Sequence, residues 1–325
     1  AGSSPGPTRA IERELRSHQA VVLGASAVTG GQLIGPISKQ LLAKPGLTTL
    51  VVRTKEPFRM PLNATPAIPL PVSVRVDKWF AENTFVCSEF EDLRRMIGMK
   101  RDQGVSVSLA LPALNEESTI AGVIGSVMPL RDAGLLDEIV IIDSNSTDRT
   151  RDIARSLGVP VFVHQETLPD AGARRGKGEA LWKSLHVTRG DIVAWIDTDI
   201  INPHPRFVYG IIGPLLANAR IQYVKGFYQR PISVEGRLQS SGGGRVTELL
   251  ARPMFNLFFP ELSGFVQPLA GEYAGRRSAL ERVPFYSGYG VETGLLLDLL
   301  RLLGLGALAQ VDLQERVHRN QELQA

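Results

Sequence analysis

The chain has 325 residues, 43% of them hydrophobic, and a formal net charge of only +3, which suits one large or two smaller folded domains and disfavours a nucleic-acid-binding protein. Its single cysteine, Cys87, excludes an intrachain disulfide and fits a reducing compartment. No apolar run is long enough to cross a membrane and residues 1–7 lack the pattern of a secretory signal, so we expect a cytoplasmic protein that binds no membrane.

The first predicted unit is a small βαβ segment. Residues 20–24 form an apolar run that ends in glycine, residues 34–43 have helical spacing, and residues 47–52 form a second apolar run. A strand, a helix and a strand within so short a stretch predict a pair of parallel strands joined by a right-handed crossover.

A proline-rich stretch separates this unit from the rest of the chain. Residues 57–71 are typical of a linker, and residues 77–101 are predicted to be mostly helical. We therefore divide the chain into an N-terminal segment with its linker, residues 1–75, and a main domain, residues 76–325.

Strands and helices alternate through the main domain from residue 105 onward. Such alternation predicts an open α/β sheet that binds its ligands at the carboxyl ends of the strands. After residue 206 the pattern is less regular. The predicted strands are residues 105–111, 138–142, 159–163 and 191–196, and the predicted helices are residues 117–128, 148–157 and 177–185.

Asp197 and Asp199 directly follow the last of these strands. Two carboxylates one residue apart at a strand end can hold a hard divalent cation, Mg²⁺ or Mn²⁺, which can bridge the phosphates of a nucleoside diphosphate. Such a cation would neutralise charge on a departing diphosphate. An isolated Asp-x-Asp pair is more often a polar cap on a strand than a metal site, so this pattern alone leaves both interpretations open.

Three further polar loops accompany the acidic pair. Residues 112–117 follow one strand and begin a helix, so they can receive a nucleoside and its ribose or simply cap the helix. Residues 143–148 end the next strand in the same manner. Residues 175–179 open a helix with two glycines and Lys177, which allows the backbone to approach a phosphate beside an ammonium group.

Together these loops resemble the motifs of GT-A glycosyltransferases. Further motifs narrow the resemblance to the actinobacterial glucosyl-3-phosphoglycerate synthases and the related mannosyl-3-phosphoglycerate synthases, over roughly residues 85–320. The motifs that carry it are, in chain order, residues 112–117, 143–144, 176–181, 197–199, 202–205, 242–248, 267–273, 288–292 and 318–320.

The resemblance implies a fold and an activity. The fold is the GT-A fold, a Rossmann-like mixed α/β sheet with helices on both faces, here preceded by the small βαβ segment. The activity is a retaining, metal-dependent transfer of glucose from UDP- or GDP-glucose to 3-phosphoglycerate by a homodimer. Transfer of mannose from GDP-mannose, or of both sugars, is the alternative. Two further hypotheses are a GT-A enzyme with another acceptor and a non-enzymatic nucleotide-sensing module.

The resemblance also implies roles for single residues. The implied metal ligands are Asp197, Asp199 and His318. The implied catalytic residues are Lys177, Asp199, Leu269 and Glu292. The residues implied to bind the nucleotide sugar are Pro112, Ala113, Leu114, Asn115, Glu116, Ser144, Lys177, Asp197, Thr198, Tyr289, Glu292 and Arg316. The residues implied to bind the acceptor are Gly244, Arg245, Thr247 and Asn320.

A retaining transfer can follow two routes. Double displacement requires a carboxylate nucleophile on the far face of the sugar, and the sequence assigns no residue to that role. We therefore favour same-face attack, in which the leaving diphosphate takes the proton of the acceptor.

Two further expectations concern residues outside these motifs. His164 and His186 are predicted to be structural or exposed. Residues 254–259 are expected to lie in the core, with a subunit interface as the alternative.

The N-terminal segment resembles the C-terminal half of universal stress proteins in residues 21–26, Gly35 and residues 50–53. In that family, glycines at set spacing wrap the triphosphate of ATP. Here Ala27 replaces the second glycine and Pro36 follows Gly35. A packing role is therefore expected, and ATP binding is the alternative.

Overall fold

The computed structural model describes residues 20–25, 48–53, 70–174, 176–229, 232–234, 237–239 and 246–317. The chain divides into two compact units, Ala1–Thr84 and Phe85–Ala325. No helix among the described residues has both the length and the apolar character needed to cross a membrane.

The N-terminal unit contains the predicted parallel pair. Strand β1 (Ala20–Ala25) pairs in parallel with β2 (Thr48–Arg53), and Val21 lies opposite Thr49. The predicted helix at residues 34–43, the loop around Gly35 and most of the predicted linker lie outside the described residues. Helix α1 (Val72–Asn83) completes this unit.

Eight strands of the described chain form one mixed sheet. They are β3 (Thr84–Val86), β4 (Val107–Ala113), β5 (Glu138–Asp143), β6 (Val161–Val163), β7 (Ile192–Trp195), β8 (Tyr223–Gln229), β11 (Tyr273–Arg276) and β12 (Leu308–Glu315), in the spatial order β3-β12-β8-β11-β7-β4-β5-β6. Strand β11 is antiparallel to both β7 and β8, whereas β7, β4, β5 and β6 are mutually parallel. The mixed α/β sheet confirms the predicted fold class. A separate hairpin joins β9 (Ile232–Val234) and β10 (Arg237–Gln239).

The helices lie between the strands along the chain. They are α2 (Leu93–Gln103), α3 (Ile120–Asp132), α4 (Thr150–Ser156), α5 (Lys177–Val187), α6 (Arg206–Ala217), α7 (Arg252–Phe258), α8 (Arg277–Leu280) and α9 (Val291–Leu303). One turn of π-helix, Thr247–Ala251, leads directly into α7.

The prediction of a mostly helical stretch over residues 77–101 was wrong in its middle. The structure ends α1 at Asn83, inserts β3 and a short 3₁₀-helix, and begins α2 at Leu93. Thr, Phe and Val in β3 favour an extended backbone. Asp92 then restarts the helix, because its side chain accepts hydrogen bonds from the amides of Arg94 and Arg95 at 3.0 and 3.1 Å.

The core fixes helix α5 against the sheet. Trp195 of β7 is fully buried, and its indole nitrogen donates a hydrogen bond of 2.9 Å to the hydroxyl of Ser184 in α5. The ring of Trp195 also packs on Tyr273 of β11, with ring centroids 5.5 Å apart. Because α5 begins at Lys177, these contacts fix the position of that lysine relative to the end of β7.

An exposed apolar stripe runs along the π-helical turn and α7. Its members share helical spacing, and Leu249 and Leu257 are 77% and 72% exposed. The expectation that residues 254–259 lie in the core was therefore wrong for most of them, although Phe255 is buried. The stripe consists of Leu249, Leu250, Met254, Leu257 and Phe258.

Candidate functional site

A cavity of about 620 Å³ opens at the carboxyl ends of the parallel strands. Because β4, β5 and β7 are parallel, the loops that follow them meet at one edge of the sheet. Many predicted site residues line this cavity: Pro112, Ala113, Leu114, Glu116, Ser144, Lys177, Asp197, Thr198 and Asp199. Gly176, which is predicted to let the backbone approach a phosphate, also lines the cavity. Four further lining residues had no predicted role of their own in binding a ligand: Asn145, His164, Gln165 and Gly288.

Asn115 joins two of these loops. Its backbone has a φ of 57°, in the left-handed region that asparagine tolerates better than most residues. Its side-chain oxygen accepts a hydrogen bond of 2.8 Å from the backbone N–H of Thr147. Its backbone N–H donates a hydrogen bond of 2.9 Å to the hydroxyl of Ser146. Asn115 is not among the lining residues of the cavity, so the structure places it as a link between the loops after β4 and β5.

Asp197 and Asp199 lie side by side and share one cation. Nη2 of Arg316 is 3.1 Å from Oδ2 of Asp197 and 2.6 Å from Oδ1 of Asp199. Thr198 lies between them in the chain, and its hydroxyl donates a hydrogen bond of 2.8 Å to the carbonyl oxygen of Pro112. This bond ties the acidic loop to the end of β4.

Lys177 is the second cation of the site. Its ammonium lies 2.6 Å from Oδ1 of Asp197 and 3.2 Å from Oε1 of Glu292 in α9. Burial alone would lower the pKa of Lys177, but the attraction of Asp197 and Glu292 outweighs burial and raises the pKa above its ordinary value. Lys177 therefore carries a positive charge at the first turn of α5, where the amide groups of the helix terminus also favour an anion.

Glu272 and Tyr228 hold the guanidinium of Arg316 in place through an ion pair and a hydrogen bond. Nε of Arg316 lies 3.2 Å from Oε1 of the fully buried Glu272, and Nη1 donates to the hydroxyl of Tyr228 at 2.6 Å. Burial raises the pKa of Glu272, and the neighbouring Arg316 opposes that rise. Neither supporting residue had a predicted role, although Glu272 belongs to the motif at residues 267–273.

Gly271 allows the acidic pair to reach this position. A methyl group at Gly271 would overlap the carboxylate of Asp197. The glycine is therefore required by close approach rather than by an unusual backbone conformation.

The donor chemistry at this end of the cavity fits a divalent cation. Asp197 and Asp199 offer carboxylate oxygens, which Mg²⁺ and Mn²⁺ prefer, and the guanidinium of Arg316 shows that positive charge is favourable between them. Within the described ranges no three His, Cys, Asp or Glu side chains form a metal site. His318, the third predicted ligand, lies outside those ranges, so the complete set stays a prediction.

The remaining predicted site residues either lie away from the lining of the cavity or fall outside the described residues. Thr247 is buried at the start of the π-helical turn, Leu269 is half-buried in the turn before β11, and Tyr289 belongs to the short 3₁₀-helix Gly288–Gly290. The other predicted acceptor residues, Gly244, Arg245 and Asn320, lie outside the described residues. The acceptor site therefore stays a prediction.

Lys225 lies buried behind the site without a polar partner in the described structure. It is 1% exposed, and its ammonium stands 4.1 Å from the centre of the Tyr273 ring. Burial lowers the pKa of Lys225 to about 7, and the attraction of Glu292 only partly opposes this shift.

A protein-family model matches more than half of this chain. The model described as glycosyl transferase family 2 matches residues 108–283. This range includes the loops after β4 and β5, the start of α5 and the acidic pair.

Similar proteins and solved structures point in the same direction. The glucosyl-3-phosphoglycerate synthase of Petrotoga mobilis is 50% identical over 244 residues, covering 74% of this chain and 75% of that protein. The Mycobacterium tuberculosis enzyme of the same name is 52% identical over 223 residues, covering 68% of each chain. Its crystal structure in complex with Mn²⁺, UDP-glucose and phosphoglyceric acid matches with a TM-score of 0.68 at 48% identity, covering 74% of this chain and 80% of that one. The mannosyl-3-phosphoglycerate synthase of Rubrobacter xylanophilus matches with a TM-score of 0.69 at 43% identity, covering 75% and 77%.

Proposed function

Since the chain belongs to glycosyl transferase family 2, among the glucosyl-3-phosphoglycerate synthases, we propose that it transfers glucose from UDP- or GDP-glucose to 3-phosphoglycerate. The observation that carries the proposal is the meeting of Asp197, Asp199, Lys177 and Arg316 at one end of a cavity large enough for a nucleotide sugar.

The cavity has separate ends for the two parts of a nucleotide. The diphosphate belongs at the end of β7, because Lys177 and the first turn of α5 offer positive charge there. The nucleoside belongs along the loops after β4 and β5, where Pro112, Leu114 and Ser144 form the wall. Glu292 lies behind Lys177 at 3.2 Å and is not among the residues that line the cavity, so its contact with the sugar stays a prediction.

Asp197 and Asp199 would hold Mg²⁺ or Mn²⁺, with His318 as the predicted third ligand. When bound, the cation supplies charge neutralisation on the departing diphosphate. The structure of the Mycobacterium tuberculosis relative with Mn²⁺ and UDP-glucose supports this assignment. Lys177 and Arg316 contribute further positive charge on the protein side of the site.

The surroundings of the buried carboxylates support same-face attack. A double displacement needs a carboxylate that is free to attack the sugar. Glu292 is 5% exposed and paired with Lys177, and Glu272 is fully buried against Arg316. Neither is presented to the cavity, so we assign retention of configuration to attack beside the leaving diphosphate, whose oxygen takes the proton of the acceptor.

Transfer of mannose is the second candidate, because the solved mannosyl-3-phosphoglycerate synthase is also similar in structure. We favour glucose because the two relatives at 50% and 52% identity are glucosyl enzymes. Glucose and mannose differ at one hydroxyl, so the choice depends on a small number of hydrogen bonds. The homodimer and the cytoplasmic location stay predictions.

A panel of donors tests the activity. The full chain is incubated with 3-phosphoglycerate and Mg²⁺, and separately with Mn²⁺, using UDP-glucose, GDP-glucose or GDP-mannose as donor. We expect release of the nucleoside diphosphate and formation of glucosyl-3-phosphoglycerate. Turnover with GDP-mannose alone would assign the mannosyl reaction, and turnover with none of the three would contradict the acceptor assignment.

The metal assignment is tested with Asp199→Asn and the matched control Asp152→Asn. Asp152 has a side chain that is 81% exposed, so its variant should keep full activity. Asp199→Asn should lower kcat by about 100-fold or more, because charge on the departing diphosphate would no longer be neutralised. It should also weaken Mn²⁺ binding, measured by calorimetry with UDP. Full activity of Asp199→Asn in the presence of a chelator would contradict the assignment.

A further inference from the structure

The hydrogen bonds of His164 determine which nitrogen of its ring carries a proton. Nε2 lies 3.3 Å from the carbonyl oxygen of Arg174, and Nδ1 lies 3.2 Å from the hydroxyl oxygen of Ser144. A carbonyl oxygen only accepts hydrogen bonds, so Nε2 must carry the proton. Burial is the main cause that lowers the pKa of His164, so the ring is neutral at pH 7 and Nδ1 is an acceptor.

The tautomer of His164 in turn orients the hydroxyl of Ser144. An unprotonated Nδ1 can only accept, so the hydroxyl of Ser144 must donate its one hydrogen to that nitrogen. The oxygen of Ser144 then offers only lone pairs to the cavity that it lines. Toward a ligand, Ser144 therefore acts as a hydrogen-bond acceptor and not as a donor.

His164 is held rigidly enough to impose this choice. It is 1% exposed, and its amide donates to the carbonyl of Asp143 at 2.9 Å. Its own carbonyl accepts a hydrogen bond of 2.8 Å from the buried ammonium of Lys183, which also donates to the carbonyl of Gly172 at 2.8 Å. These contacts fix the backbone of His164, and the ring itself is restrained by its burial and by the contact of Nε2 with the carbonyl of Arg174.

Ser144 lies at the nucleoside end of the cavity. In the sheet, β5 is separated from β7 by β4, so the ends of β5 and β7 are two strand spacings apart, about 10 Å. Asp197 follows β7 and Ser144 follows β5. A nucleotide whose diphosphate lies beside Asp197 therefore extends its base toward Ser144 and His164.

We propose that His164 determines base specificity by forcing Ser144 to accept a hydrogen bond, so that the site selects bases that present a ring N–H. This inference rests on the proposed function, since it takes the cavity to be the nucleotide-sugar site. Uracil and guanine carry a ring N–H beside a carbonyl group. Cytosine and adenine carry an unprotonated ring nitrogen at the corresponding edge, and two facing acceptors are both left unpaired.

Calorimetric binding of UDP and CDP to the full chain in the presence of Mg²⁺ tests the proposal. We expect the wild-type chain to bind UDP at least about 10-fold more tightly than CDP, the effect of one hydrogen bond gained or lost at a group that the bound base covers. His164→Ala should reduce this ratio toward one, because the freed hydroxyl of Ser144 can rotate and donate to cytosine. His164→Asn, which can keep an amide oxygen near the position of Nδ1, should restore the ratio.

Two further variants make the test decisive. His186→Ala is the matched control, since His186 is exposed on α5 and its removal should leave the ratio unchanged. Ser144→Ala removes the acceptor itself and should also abolish the preference for UDP, even if His164→Ala fails to fold. A His164→Ala or Ser144→Ala chain that binds UDP and keeps the full ratio would overturn the role of His164. A wild-type chain that binds neither nucleotide would instead overturn the proposed function.

Discussion

Lys225 shows how a single buried charge can weaken a folded protein near neutral pH. Its side chain has no polar partner in the described structure, and burial lowers its pKa from 10.5 to about 7. The unfolded chain therefore binds more protons at this residue than the folded chain between pH 7 and 10.5. Stability rises with pH across that window, and the full cost is present below pH 7.

Replacing this lysine should stabilise the protein in a pH-dependent way. We expect Lys225→Met to raise the free energy of unfolding, and the gain should be larger at pH 6 than at pH 9 by about 2–3 kcal/mol, since one pKa unit corresponds to about 1.4 kcal/mol. Urea unfolding at both pH values measures the gain. The exposed Lys78→Met is the control, and an equal gain at both pH values for Lys225→Met would contradict the shifted pKa.

The site residues differ in how far sequence could predict them. Asp197 and Lys177 stand beside recognisable local patterns, a strand end and a glycine-flanked helix start, so local sequence made them candidates and the family resemblance was needed to assign their roles. Glu272 and Tyr228 act through Arg316, and their contacts join β8, the turn before β11 and the end of β12. No spacing along the chain encodes such a contact. The role of His164 likewise depends on a carbonyl ten residues away.

Among the elements, the buried parallel strands were the most predictable. β4, β5 and β7 are covered on both faces, so they appear in the sequence as unbroken apolar runs. The stretch at residues 77–101 was less predictable because β3 is three residues long and pairs with distant β12. A strand this short is determined by its partner, and its own sequence carries too little periodicity to reveal it.

The turn before β11 positions the acidic motif that follows β7. We expect Gly271→Ala to lower kcat/KM by about 100-fold, because the added methyl group must displace the carboxylate of Asp197 and a shift of about 1 Å in a reacting group has that effect. Gly125→Ala in α3 is the matched control, since no atom lies within 4 Å of the added group. Its activity should be unchanged and its melting temperature equal or slightly higher. Wild-type kcat/KM in Gly271→Ala would show that the acidic pair tolerates displacement.

At the scale of the whole molecule, the apolar stripe on the π-helical turn and α7 supports the predicted homodimer. Large apolar side chains that stand together on a surface mark contact sites more often than scattered ones do. The stripe begins two residues after Thr247, a predicted acceptor residue, so a second copy of the chain seated there would also cover the neighbourhood of the acceptor site.

Charged side chains in the stripe should therefore separate the subunits. Light scattering after size-exclusion chromatography should give a dimer for the wild-type chain and a monomer for the double variant Leu257→Glu, Phe258→Glu. The control Val74→Glu changes an exposed apolar side chain outside the stripe and should remain dimeric. A monomeric wild type, or a double variant that stays dimeric, would contradict the prediction.

The buried ammonium of Lys183 has a consequence for motion near the cavity. It is held by the carbonyls of His164 and Gly172 and by the carboxylate of Glu179 one helical turn away, at 3.3 Å. If the segment around Gly172 lifted away while α5 stayed wound, the ammonium would lose a partner in a place that water does not reach. Opening of that segment is therefore opposed by the cost of leaving a buried ammonium short of one partner, and this cost falls only if α5 loosens enough for Lys183 to reach water.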